Sequence, residues 1–472
     1  MPTTDVRPVA LGSSVDPQRI ARLFPSFHDF VDDALFHPAW GYYSTGQVRF
    51  GEGGHYDTFP LALSPLFGRM LAQYAFRSWS VAGRPQRFEI CELGAGNGQL
   101  CMDTLLALRT PRGRAWSRFA DAVRYRIVER SPALIERQGA TLGPLAASVR
   151  WTHADLAQPG GARRFGASGL VFANEVLDCL SHHKIVPQPD KLPGVVFVIP
   201  VLEDASPSEI RRLSLVRGIV PAGLAVPRER LAAVMTDASR RARLRFCEVI
   251  VPLQMVPGLL EFVHEHYPEL FGGQRFRPCF VCPGIATLIR RTARLYDRAE
   301  ALWIDYGGSR AIHLGLPASQ RIFAGPPRSG ASVYRDPGFD DITFLVDFSV
   351  VAHAAYAAGL EVAFYGRQGA LARRSSVELD AAALELIVQH RALEWMLALV
   401  GVGPERAWRR TGLTWSKNGG TGMRLRTEVK RSIAEFCGER TSNFKLMILR
   451  SPPLRARTGK GAALLRSEPA PD

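Results

Sequence analysis

Residues 92–98 read Glu-Leu-Gly-Ala-Gly-Asn-Gly. Glycines at alternate positions allow a tight turn and let the backbone approach a ligand without a side chain in the way. Such a loop serves dinucleotides and S-adenosylmethionine alike. The acid just ahead of the glycines favours the second, because a carboxylate there repels a pyrophosphate and attracts an ammonium, directly or through water. Further polar residues close successive short apolar runs. Glu129 follows 125–128 and can accept from both hydroxyls of a ribose. Asp155 and Leu156 follow 148–151 and can flank an adenine, with Asp155 accepting from the exocyclic amine. Asn174 and Glu175 follow 169–173. Glu92, Gly94, Gly96, Gly98, Glu129, Asp155, Leu156 and Asn174 are therefore candidate cofactor residues. A nicotinamide cofactor stays open, since a second strand ending in an acid fits it too, but no GxGxxG with an apolar lead-in is present. No GxxxxGK[ST] occurs, which argues against Walker-type phosphate binding.

A methyl donor of this kind is already activated, so the protein's task is to align a nucleophile behind the methyl. A neutral amine needs only orientation. A guanidinium needs carboxylates to hold its charge and orient a nitrogen. Glu175 and Asp178 stand three residues apart, and both face the cleft if the chain turns into a helix there. Glu175 is the first candidate for orienting an acceptor and Asp178 the second, with loop bracing the alternative for Asp178. His182 could act as base toward a hydroxyl acceptor, or simply pack. Tyr43, next to Tyr42, is a candidate cleft wall. Asp57 and Thr58 either anchor a loop over the cofactor or cap a turn. Tyr306, after Asp305, points over the cleft, while Asp341 reads as a cap away from the chemistry.

Positioning these groups requires a sheet. The spacing predicts short strands at 88–91, 125–128, 148–151 and 169–173 separated by helices, which is the pattern of a mostly parallel α/β sheet. The four polar strand ends then share one sheet edge, where ligands bind in open α/β folds. The next clear strand, 301–304, lies too far downstream for a simple crossover. The expected organisation is a flexible arm at 1–19, an N-terminal helical cap at 20–80 and a Rossmann-like core at 81–180. An inserted mixed subdomain follows at 181–282, then the rest of the core at 283–370 with strands at 342–346 and 360–365. A C-terminal element at 371–450 closes over the site, and 451–472 form a flexible tail.

The whole chain fits an enzyme. It has 472 residues, 46% hydrophobic and 22% charged, enough for more than one packed core and too apolar for global disorder. The net charge of +15 favours anionic partners only loosely. Its basic residues are scattered and lack interleaved aromatics, so nucleic acid is not expected. No eighteen-residue apolar run predicts a membrane span. Seven cysteines without a leading apolar signal suit a reducing, cytoplasmic setting. Cys279 and Cys282 form a lone CxxC, read as buried thiols rather than a zinc site.

The chain resembles the MidA-like class I methyltransferase family, which includes the mitochondrial complex I assembly arginine methyltransferase. The resemblance is carried by His37-Pro38 through Gly41-Tyr42-Tyr43, by Thr58 and Pro60 with Phe67-Gly68, and by Glu92 to Gly98. It continues in Glu129-Arg130-Ser131-Pro132, Asn174-Glu175-Val176-Leu177-Asp178, Asp305-Tyr306-Gly307, Asp341-Ile342-Thr343 and Phe444-Lys445. It implies a Rossmann-like fold, S-adenosyl-L-methionine as cofactor with Thr58 and Pro60 at its site, and protein arginine N-methylation. A small-molecule N-, O- or C-methyltransferase and a non-catalytic assembly factor retaining the cofactor site are the alternatives. The acceptor is then a protein or a small molecule, and the oligomeric state is open, a homodimer included. The chain departs from the family where Gly54 precedes His55, and where Cys179 and Ser181 replace an alanine and a proline.

Overall fold

The computed structural model describes residues 8–11, 15–46, 48, 58–158, 163–188, 191–202, 225–272, 277–324, 332–399, 420–437 and 444–452. In chain order the strands are β1 (Val9–Ala10), β2 (Phe88–Leu93), β3 (Val123–Glu129), β4 (Val149–His153), β5 (Gly166–Asn174), β6 (His183–Gln188), β7 (Lys191–Leu202) and β8 (Leu244–Pro252). They continue as β9 (Cys279–Val281), β10 (Tyr296–Gly308), β11 (Ile322–Ala324), β12 (Ile342–Phe344), β13 (Val346–Asp347), β14 (Glu361–Arg367) and β15 (Phe444–Arg450).

The main sheet runs β14-β15-β10-β5-β2-β3-β4. Its β10-β5, β5-β2, β2-β3 and β3-β4 pairs are parallel. The chain enters at β2, steps outward to β4, then returns to β5 on the other side of β2. That reversal creates a crevice at the carboxyl ends of β2 and β5. Central strands such as Leu170-Val171-Phe172-Ala173 are buried on both faces, as parallel strands under helices must be. On one face Ile90, Leu170 and Phe172 pack with Phe67 and Met70 of helix Leu66–Val81 and Leu105 of helix Gln99–Arg109. Those two helices touch at Gly68, where a Cβ would stand 2.4 Å from that of Asp103. On the other face Cys91, Val171 and Trp303 pack with Ile285 and Ile289 of helix Pro283–Thr292 and Val351 of helix Phe348–Ala357.

A second sheet, β1-β8-β7-β6-β9, takes every strand but β1 from the inserted segment. Alternate residues of β7 serve two cores. Val195, Phe197 and Ile199 face the main sheet's layer, and Val196 and Val198 face Phe30 and Val31 of helix Phe27–Phe36. Strand periodicity of two produces this division.

Four expectations change. Residues 9–10 are not part of a free arm: Val9 and Ala10 pair with Val249 and Ile250 at the second sheet's edge. The start of the expected helical cap makes two helices, Pro17–Leu23 and Phe27–Phe36. Pro25 offers no N–H, and Ser26 starts the second helix with a capping box, accepting from Asp29 N at 3.1 Å. The 20–80 segment is therefore no single cap, since helix Phe27–Phe36 joins the second sheet and Leu66–Val81 the main one. The expected strand at 342–346 is split. β12 pairs with β11, and β13 pairs with β10 at Gly307 and Gly308, where a Cβ on Gly307 would stand 2.1 Å from Val346 O. Finally, 371–450 is no mere closing element. β15 runs antiparallel between β10 and β14, because Leu446, Met447, Ile448 and Leu449 are apolar on both faces and all buried. Helices Ala381–Leu399 and Gly420–Cys437 cover that side of the sheet through Ile387, Val388, Val429 and Phe436. Helices Arg114–Ala122 and Pro283–Thr292 were not anticipated. Among the described residues, no helix is long and apolar enough to cross a membrane.

Candidate active site

A cavity of about 580 Å³ opens at the carboxyl ends of β2, β3, β5 and β10. Gly94 and Gly96 form its rim at φ of +63° and +54°, backbone that favours glycine. A Cβ on Gly94 would also press on Val176 Cγ2 at 3.0 Å. Gly98 does not line the cavity. At φ +85° it starts helix Gln99–Arg109, and a Cβ there would meet the Gln138 backbone at 3.2 Å. Its contribution is to the turn, not to ligand contact.

Two buried carboxylates face the cavity from the first strands. Glu92 accepts from the Tyr125 hydroxyl at 2.7 Å, and burial pushes it up to about 7. Glu129 accepts from Ser131 N at 2.9 Å and Gln138 Nε2 at 3.0 Å, which fixes its carboxylate while leaving lone pairs for further donors. Burial raises it as well. Asp155 accepts from Ala157 N at 2.8 Å through one oxygen. Its other oxygen is buried without a hydrogen bond, 3.3 Å from Arg130 Nε. Asn174 Oδ1 is likewise buried and unsatisfied, while its amide donates to Glu175 Oε1 at 2.8 Å. Thr58, Pro60 and Leu156 complete this end. Asp57 lies outside the described residues.

S-adenosylmethionine fits this donor set. The glycine cradle admits the methionine part, Glu92 suits its ammonium, Glu129 the ribose hydroxyls, and the lone pairs Asp155 keeps beyond those facing Ala157 N and Arg130 an adenine amine. Bound there, the group supplies an activated methyl. The reading from sequence missed Arg130. Its guanidinium forks onto Asp32 at 2.8 and 2.7 Å, pairs with Asp155 and lies 4.0 Å over the Phe36 ring. It ties helix Phe27–Phe36 to the adenine end. An arginine straight after the second strand's acid was the available signal.

The far end is acidic. Glu175 turns at φ +53°, a left-handed conformation that strains a residue with a Cβ; its N–H donates to Ile304 O at 2.9 Å. The chain then makes a turn rather than a helix, and Glu175 and Asp178 both still line the cavity. Asp305 holds the turn, Oδ2 accepting from Leu177 N at 2.9 Å and Asp178 N at 3.2 Å. Asp178 is buried and lines the cavity, and its Oδ1 has no hydrogen bond. Asp341 also lines the cavity and is no remote cap. Tyr43 donates its hydroxyl to Asp341 Oδ1 at 2.8 Å and stands 3.2 Å from Cys179 Sγ. Burial raises Asp178 against hydrogen bonds from Cys179 and Tyr306 that lower it; burial and the Asp178 and Glu175 charges raise Asp305; burial and the Asp178 charge push Asp341 up to about 7. Tyr306 packs edge-on against Phe323 and Phe444, with centroids 5.9 and 5.6 Å away. All three rings line the cavity.

His182 does not belong to the site. Its ring stacks on Phe344 at 4.1 Å, Nδ1 lies 2.7 Å from Leu180 O, and it is 2% exposed. Burial pulls it down to about 3, so it is a packing group rather than a base at the cleft. Cys279 and Cys282 are buried, burial pushing both thiols up to about 12, and Cys282 donates to Ser181 O at 3.2 Å. Among the basic residues, Arg228 pairs with Asp29 at 3.3 Å and Arg426 with Glu385, as residues on solvated helix faces do.

Comparison with known proteins agrees with this geometry. Residues 70–366 match the model of a family described as S-adenosyl-L-methionine-dependent methyltransferases. A protein of Danio rerio named "Protein arginine methyltransferase NDUFAF7, mitochondrial" is 25% identical over 342 residues, covering 70% of this chain and 68% of that protein. The protein of the same name from Xenopus tropicalis is 29% identical over 171 residues, 33% of this chain and 39% of that one. In fold, the chain is similar to a Burkholderia thailandensis protein solved with S-adenosyl-homocysteine bound, at a TM-score of 0.60 and 20% identity over 92% of each chain. With a matching model across 70–366 and a cavity whose carboxylates and glycines suit that cofactor, the chain belongs to the S-adenosyl-L-methionine-dependent methyltransferase family.

Proposed function

We propose that this methyltransferase transfers its methyl group to an arginine nitrogen of a protein. One observation carries the reading: the acceptor end of the cavity is built of carboxylates. In a chain of net charge +15, Glu175, Asp178 and Asp341 converge on that end, with Asp305 behind them. Carboxyl groups brought this close and this dry repel one another unless protons or a cation intervene. A guanidinium supplies the cation, and its planar fork matches carboxylates. Tyr306, Phe323 and Phe444 offer ring faces and edges against which such a cation can lie. Relatives named as arginine methyltransferases support the same acceptor. Free cysteines throughout are consistent with work in a reducing, cytoplasmic compartment.

The test is transfer of labelled methyl from S-adenosylmethionine to a protein extract from the source cell, followed by acid hydrolysis and amino-acid analysis. Label in methylarginine is the expected result. Label only in lysine, in carboxyl esters or in small molecules overturns the reading.

A further inference from the structure

We propose that Asp341 is the residue that receives the proton released at the acceptor nitrogen, and that arrival of the cationic acceptor is what prepares it to do so; this rests on the arginine reading above.

The geometry comes first. Asp341 immediately precedes β12, which the fold folds back over the cleft through its hairpin with β11. It lines the cavity together with Asp178, from the turn after β5. It is 7% exposed, so water has little share in solvating it. The Tyr43 hydroxyl donates to Oδ1, and the Tyr43 backbone is itself fixed by the Ser131 hydroxyl donating to its carbonyl at 2.6 Å. A carboxylate has about four acceptor positions, so this bond orients the group without filling it. Among the described residues, Asp178, Asp305 and Asp340 stand near it with Tyr43, Cys179 and Tyr306, and the Asp340 charge is met by Arg335 at 3.8 Å. In the absence of a positive ligand, burial and the Asp178 charge outweigh the Tyr43 hydrogen bond at Asp341, and the cluster keeps protons.

The chemistry needs a place for one proton. A guanidinium nitrogen uses an electron pair to form the N–CH3 bond as the S–CH3 bond breaks, that pair returning to sulfur. The product would carry an extra positive charge unless one N–H bond breaks, its electrons staying on nitrogen and its proton leaving. A carboxylate beside the nitrogen takes it. Asp341 is a carboxylate only if it has first lost its own proton. The incoming guanidinium does this, because an opposite charge a few ångströms away in a dry cleft favours ionisation. The cycle then closes. One proton leaves Asp341 for solvent as the acceptor binds and one returns to it during transfer, so the methylated cation faces a neutral Asp341, loses its ion pair and is released with Asp341 as it began.

The experiment measures protons on binding and involves no turnover. N-acetyl-arginine amide is titrated calorimetrically into the full-length protein saturated with S-adenosylhomocysteine at pH 7, in two buffers of different ionisation heat. The wild type should release roughly half a proton per probe bound, since a group held near 7 is about half protonated there. Asp341→Asn should lose most of that release and bind the probe about tenfold more weakly, with S-adenosylhomocysteine affinity unchanged as the check on folding. Tyr43→Phe removes a hydrogen bond that favours the ionised form, so its release should be larger than the wild type's at the same pH. Probe binding with release undiminished in Asp341→Asn overturns the proposal alone. Failure of the wild type to bind the arginine probe while binding S-adenosylhomocysteine overturns the arginine reading and this proposal with it.

Discussion

Glu129 and Glu175 sit on either side of the reaction and separate by experiment. Glu129 is held by Ser131 and Gln138 in position to accept from a ribose. Glu129→Ala should weaken S-adenosylhomocysteine binding by ~1.5–3 kcal/mol, read by calorimetry; an unchanged affinity would place the ribose elsewhere. Glu175→Gln keeps the size and the left-handed turn but removes the charge. Cofactor affinity should hold while turnover falls by ~10²-fold, about 2.7 kcal/mol, and normal turnover would exclude Glu175 from an essential role. Much of this end was legible because Glu92, Glu129, Asp155 and Asn174 each follow an apolar run, and a strand's end is where such a residue meets a ligand. Asp341 and Arg130 were not. Asp341 reaches the cleft through a hairpin whose pairing, β11 to β12, leaves no periodic trace. His182 failed for the opposite reason. Residue type nominated it, but only burial against Phe344 could dismiss it.

Among the elements, β15 carries a clear prediction. Ile448 is 1% exposed and packs in the core with Phe67 and Leu302. Ile448→Ala should cost about 3 kcal/mol of unfolding free energy in denaturant titration, whereas Leu106→Ala, at 48% exposure, should stay within ~0.5 kcal/mol. A small effect at Ile448 would mean that the strand is not integral to the sheet. The successive strand–helix units at 88–174 were readable from their apolar spacing, as was helix Leu66–Val81. The run 444–450 is equally apolar, yet sequence order suggested a lid, because nothing local states that a late strand will insert between two earlier ones. Helix Phe27–Phe36 hid its start in the same way. Its apolar positions continue those of the preceding helix, and the break is announced only by Pro25 and the Ser26 cap.

At the scale of the whole molecule, the acidic floor and the buried histidines pull stability in opposite directions with pH. Glu92 and Asp341 titrate in the folded state near 7, above their ordinary values of 4.5 and 3.8. Their contribution is full below about 4 and is lost as pH rises through 7. His182, pulled down from 6.5 to about 3, contributes fully above 6.5 and loses that contribution as the pH falls toward 3. Between pH 6.5 and 8 the acids therefore decide, and the ligand-free protein should lose stability. Asp341→Asn removes one such group, so its Tm relative to wild type should rise from pH 5 to pH 8 in thermal scans; a flat difference would show that Asp341 does not titrate in this range. The late strand has a consequence for how the protein is made. As the ribosome delivers the chain, β10 and β14 emerge before the strand that joins them, so two rows of unpaired backbone groups face an empty slot until residue 450 is out. Such edges are templates for any extended segment nearby. A nascent chain, or one clipped within helix Gly420–Cys437, thus carries two open edges even when the whole cofactor cradle has already been synthesised.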